Sequence, residues 1–134
     1  MQIEIPKAIN SIMIDLVQDL KEVGDYKKID NNPNYMPLFI EIIDKCNLGF
    51  IYSFAHYGLL NGDLMKDPEM TFLKIAKNDK FIPLSYQNDY LNVFIECINL
   101  DSGNIVYYQK RLLDQIIFTE TWIKNIKSQQ FLKC

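Results

Sequence analysis

Asn61-Gly62-Asp63-Leu64-Met65-Lys66-Asp67-Pro68-Glu69-Met70-Thr71-Phe72 holds the tightest turn signals and the densest acidic cluster of the 134-residue chain. Asn61-Gly62 and Asp67-Pro68 are both turn dipeptides. Pro68 biases Asp67 away from helical backbone angles, and Gly62 permits a sharp bend. The segment between them is therefore predicted to be a compact loop, not a strand. It leads into a predicted strand at Met70–Ile75. Before it, Phe50–Leu60 is rich in aromatic and β-branched residues, which reads as another strand. Ile51, Ser53, Ala55 and Tyr57 share one side of that strand, and Tyr52, Phe54 and His56 the other.

Working outward from this pair, the chain after it stays strand-like. Lys77-Asn78-Asp79-Lys80 is a turn. Phe81–Tyr86 is a predicted strand in which Pro83 marks an edge or a bulge. Gln87-Asn88-Asp89 reads as a break, Leu91–Ile98 as a fourth strand and Ile105–Tyr108 as a fifth. Asp101-Ser102-Gly103-Asn104 is the hairpin turn between those two. The last element is a long helix over about Lys110–Gln130, with Leu113, Ile116, Ile117, Ile123 and Ile126 as its apolar stripe.

Ahead of the strands the period lengthens. Pro6 suits a first helical turn, and Ile9, Ile12, Met13, Leu16, Val17 and Leu20 follow helical spacing as far as Gly24. Asp25–Asn34 is read as a polar connection. A second helix is predicted over about Tyr35–Lys45, with Leu38, Phe39, Ile42, Ile43 and Cys46 on one face. The expected fold is thus α+β. An antiparallel β-meander of about five strands packs against two N-terminal helices and one long C-terminal helix. Residues 1–134 are expected to form one domain, with Ile12, Leu16, Phe39, Ile43, Ile116 and Ile123 in a common core.

Bulk properties narrow the function classes. Apolar residues make up 49% and charged residues 23%, and the net charge is −3, which points to a soluble globular chain rather than disorder. The acidic balance and the lone Arg111 argue against direct nucleic-acid binding. The three cysteines, Cys46, Cys97 and Cys134, form no CxxC pair and are expected to be free thiols in a reducing compartment. The opening residues lack a signal-peptide pattern, and no apolar run reaches membrane-spanning length, so a cytoplasmic protein is expected.

The candidate site is built on the same central stretch. His56 with Asp63, Asp67 and Glu69 offers one imidazole and three carboxylates, a set able in principle to ligate a divalent metal. Their spacing fits no known ligand pattern, and the glycine and distal glutamate of a calcium loop are missing. Tyr86 and Asp89 could share a pocket with them and hold a ligand by directed hydrogen bonds. Cys97 has no base beside it, and neither a glycine-rich phosphate loop nor a nucleophile elbow is present. No catalytic residue, metal ligand or cofactor is assigned.

Several strings together resemble a known family. They are His56-Tyr57, Asn61 to Phe72, Pro83-Leu84-Ser85-Tyr86-Gln87-Asn88-Asp89, and Trp122-Ile123-Lys124-Asn125-Ile126 before Gln130-Phe131. They are similar to a domain-of-unknown-function family of small proteins of bacteria, plasmids and phages. The resemblance covers about the last two-thirds of the chain and leaves out the N-terminal helix. Family members tend to carry a second aromatic after His-Tyr, where this chain has Gly58. The resemblance implies no reaction; it implies a mobile-element setting. The expected function is a non-enzymatic binding protein of a phage or other mobile element. It would engage a host protein or a small ligand, with inhibition of bacterial defence as the narrower expectation. The alternative is a metal-dependent hydrolase or nuclease built on His56, Asp63, Asp67 and Glu69. A homo-oligomer is a further expected form.

Overall fold

A computed structural model describes residues 4–100 and 106–133. Helix α1 (Lys7–Val17) begins after Pro6 and buries Ile9, Ile12, Met13, Leu16 and Val17 along one stripe. It stops well before Gly24. That glycine instead takes φ +98° in the turn into the first strand, where its N–H donates to the Ile42 carbonyl.

Six strands follow as a meander, each antiparallel to the next: β1 (Tyr26–Ile29), β2 (Leu38–Cys46), β3 (Gly49–Leu60), β4 (Asp63–Ile75), β5 (Phe81–Asn88) and β6 (Val93–Glu96). Beyond them, β7 (Ile98–Asn99) pairs with β8 (Val106–Tyr107), and α2 (Gln109–Gln129) closes the fold. The expected turn at 101–104 lies outside the described residues.

The α+β class, the antiparallel meander and the long C-terminal helix are as expected from the sequence. Several local expectations need correction. Tyr35–Lys45 is not a helix, because the segment becomes β2, and with it the second N-terminal helix disappears. Leu38, Ile40 and Ile42 are fully buried, whereas Ile43 is exposed, so the operative period is two. Consequently Ile12, Leu16, Ile116 and Ile123 share the core, but Phe39 and Ile43 lie outside it. Asp25–Asn34 contains β1, which lifts the sheet to six strands. Leu91–Ile98 divides into β6 and β7. On α2, Leu113 and Ile117 point to solvent.

The compact loop expected after Gly62 is also absent. Asn61 and Gly62, at φ +53° and +84°, form a two-residue hairpin turn, and β4 starts at once with Asp63 opposite Leu60. Positive φ at both central residues is the pattern whose twist matches paired strands. Pro83 does sit at a bulge, since Thr71 pairs with Ser85 while Phe72 pairs with Pro83. Its other side also lies beyond the β6 ladder, which pairs with β5 only from Ser85 to Asn88.

Both helices cover one face of the sheet. Beneath them Phe54, Phe72 and Phe81 meet edge to face at 5.3–6.3 Å, alongside Ile40, Met70, Ile123 and Ile126. The alternation then fixes the helix-free face. One cross-strand row reads Tyr26, Glu41, Ser53, Thr71, Ser85, Glu96 from β1 to β6. The adjacent row reads Lys28, Phe39, Ala55, Glu69, Gln87, Phe94. Hydroxyls thus line the middle of this face, and aromatic and charged side chains line its flanks.

Candidate functional site

The six residues singled out from the sequence do not meet in one place. His56 belongs to the helix side of β3. It is 6% exposed, its Nδ1–H donates to the Pro37 carbonyl at 2.9 Å, and its ring meets Trp122 edge-on at 5.5 Å. Burial pushes its pKa below the ordinary imidazole value, and the Pro37 carbonyl and the Asp67 charge oppose that only in part. Tyr86 lies on the same side and packs against Phe118 at 5.3 Å between ring centres. Asp67 accepts a hydrogen bond from the Asn88 side-chain amide at 3.1 Å.

Glu69 belongs to the opposite face. Its carboxylate accepts from the Ser53 hydroxyl at 2.7 Å and pairs with Lys66 at 2.8 Å. The ion pair, mainly through this hydrogen bond, holds the Lys66 pKa above its ordinary value. Asp63 is exposed at the hairpin tip. Asp89 caps the open end of β4: it accepts from the Lys66 backbone N–H at 2.8 Å and from the Gln87 amide at 2.9 Å. Its own N–H returns a bond to the Lys66 carbonyl. Those donors, the backbone one first, draw its pKa below the usual carboxylate range.

His56 and Glu69 therefore project to opposite faces, and Asp63 stands apart from both. Among the described residues, no group of three or more His, Cys, Asp or Glu side chains is placed to hold a metal ion. Cys97 is buried, its thiol donates to the Pro83 carbonyl at 3.1 Å, and burial raises its pKa to about 12. Such a thiol stays protonated and unreactive at neutral pH.

The helix-free face gathers a different set, which the sequence reading passed over. A cavity of about 260 Å³ opens there between Tyr26, Phe39, Glu41, Ser53, Tyr57 and Leu64. Phe39 and Tyr57 meet edge to face at 5.4 Å. Lys28 places its ammonium 5.7 Å from the Phe39 ring centre. Desolvation, with the Glu69 charge next, raises the Tyr57 pKa, so the phenol stays neutral and keeps its proton to donate. Glu41 makes no ion pair and no hydrogen bond with the described residues through its carboxylate. The signal that could have found this set is the alternation of β2. Read with period two, it puts Phe39 and Glu41 on the face opposite Ile40 and Ile42.

Gly58 marks the other side of the same hairpin. The Tyr90 ring occupies the space a side chain at position 58 would need, and its hydroxyl donates to the Leu59 carbonyl at 3.4 Å.

No helix of the described residues is long and apolar enough to cross a membrane. The family model described as "Domain of unknown function (DUF6908)" matches residues 7–132 and so takes in α1, which the resemblance read from the motifs had left out. No curated protein and no solved structure matches the chain.

Proposed function

The chain belongs to the family described as Domain of unknown function (DUF6908), and from its open sheet face we propose that it is a non-enzymatic binding protein. It engages a partner protein through the helix-free face. One observation carries this reading. Tyr26, Leu59 and Leu64 are 73%, 72% and 65% exposed and neighbour one another on a face that no other described element covers. Adjacent large apolar side chains left in water mark an interaction surface more often than isolated ones do. Glu41 stands among them with no counter-charge among the described residues.

The setting we infer is a phage or other mobile genetic element acting inside a bacterial host, with a host defence protein as partner. The motif strings around His56-Tyr57 and Asn61–Phe72 support that setting. The acidic surface favours a protein partner over nucleic acid. Separation of His56 from Glu69 across the sheet favours binding over metal-dependent hydrolysis.

Affinity capture from bacterial lysate, with a Tyr26→Ala/Leu64→Ala double variant as control, tests the reading. The wild type is expected to retain a stoichiometric protein, and the double variant to lose it at unchanged melting temperature. Native mass spectrometry runs beside it for a retained small ligand. If neither a protein nor a ligand is retained, the proposal fails.

A further inference from the structure

We propose that the cavity beside Glu41 is the receptor for an arginine side chain of the partner protein. The inference rests on the binding reading above and names the chemistry the face recognises. The cavity is walled by the rings of Tyr26, Phe39 and Tyr57 and floored by Ser53. Aromatic faces carry negative quadrupoles and attract cations. The face already shows this in small, because the Lys28 ammonium lies over the Phe39 ring, 5.7 Å from its centre.

Charge decides the sign of the occupant. Glu41 lines the cavity, and Lys28, Lys66 and Glu69 flank its walls at Phe39, Tyr57 and Ser53. Lys28 is matched by Asp30 at 3.5 Å, and Lys66 by Glu69 at 2.8 Å. Of these groups Glu41 alone has no counter-ion among the described residues. An anion would meet both that carboxylate and the ring quadrupoles. A neutral apolar group would cover the carboxylate without pairing it, which is unfavourable. A cation satisfies the carboxylate and the rings together.

Shape decides between the two cationic side chains. A flat guanidinium stacks on an aromatic face and still presents a two-pronged donor edge to a carboxylate. An ammonium is a strongly hydrated point charge and gives up more water to enter an aromatic wall. The Tyr57 phenol and the Ser53 hydroxyl can accept the remaining N–H groups.

The probe is N-acetyl-arginine methylamide, titrated into the isotope-labelled full chain and followed by amide NMR. Its citrulline and lysine counterparts serve as the neutral isostere and the point charge. Saturable shifts are expected at Tyr26, Phe39, Glu41, Tyr57 and Leu64, weaker for lysine and absent for citrulline. Glu41→Gln should weaken arginine binding about three- to tenfold, at unchanged melting temperature because Glu41 is exposed. No saturable shifts, equal binding of citrulline or lysine, or an unaffected Glu41→Gln variant would each overturn the inference. The capture experiment separates the two levels. A partner held as tightly by Glu41→Gln as by wild type defeats the arginine inference and leaves the binding reading standing. A wild type that captures nothing defeats the binding reading, and the titration still decides the cavity.

Discussion

Substituting Ile42 and Ile43 one at a time separates the strand from the helix over residues 38–46. In a helix both side chains would lie on the buried face, and their losses would be similar. In β2 they point to opposite faces: Ile42 is fully buried and Ile43 is 40% exposed. Ile42→Ala removes three carbon groups from the core at about 0.8 kcal/mol each, or about 2.4 kcal/mol of transfer free energy. Ile42 sits opposite Tyr52 with its side chain fully buried beneath the helices, where collapse around the gap is restricted. A residual cavity brings the total to about 3–4 kcal/mol. Ile43 falls where the register of β2 shifts between Ile42 and Asp44, so it packs against little, and its alanine variant should cost about 0.5–1 kcal/mol. For a chain of this length each kcal/mol moves the melting temperature by about 3–5 °C. Calorimetry should therefore find Ile42→Ala lower by about 9–20 °C and Ile43→Ala by less than about 5 °C. Equal shifts in the two variants would refute the strand and the face assignment built on it.

Three further outcomes are expected. His56 is the only histidine, and burial lowers its folded-state pKa, so the unfolded chain binds the proton more readily. Stability should fall as pH drops below about 6.5 towards the depressed folded value, and His56→Gln should flatten that slope in urea melts between pH 7 and 5. Ile123→Asp places an unpaired charge at a fully buried position and should cost about 3–5 kcal/mol, whereas Ile117→Asp, at an exposed position of the same helix, should melt near wild type. Asp89→Asn weakens the bonds that tie β4 to the β5–β6 turn, and hydrogen exchange should quicken at Lys66, while Asp63→Asn at the hairpin tip should leave exchange there unchanged.

β3, the Met70–Ile75 part of β4 and most of β5 were legible because their aromatic and β-branched residues are dense and their turns are marked by Asn, Asp and Gly. β2 was not. Leu38, Phe39, Ile42, Ile43 and Cys46 match a helical stripe, while Leu38, Ile40 and Ile42 match a strand, and the segment carries both patterns at once. Its β-branched content favours the strand, and pairing with β3 settles the matter. The Asn61-Gly62 signal was read as the start of a loop, although two residues suffice for a hairpin. The cavity on the helix-free face was missed for a related reason. Phe39 was assigned to the core by the helical reading, and Glu41 then carried no meaning.

A strict period of two would still not have built that cavity. Between the Ala55–Glu69 and Tyr57–Lys66 pairs, β3 contributes His56 and β4 contributes both Asp67 and Pro68. The extra residue on β4 reverses the parity of everything before it. Without it, Leu64 and Lys66 would share the face of Met70 and point beneath the helices. With it, Lys66 reaches Glu69 at 2.8 Å, and Leu64 closes the cavity beside Tyr57. Even spacing on β3 meanwhile leaves Tyr57 on the face of Ala55 and turns His56 inward to Trp122. The acidic stretch that promised a site thus works at one remove. Asp67 and Pro68 form the irregularity that delivers Leu64 and Lys66 to the helix-free face, and Asp89 holds Lys66 in place by its backbone.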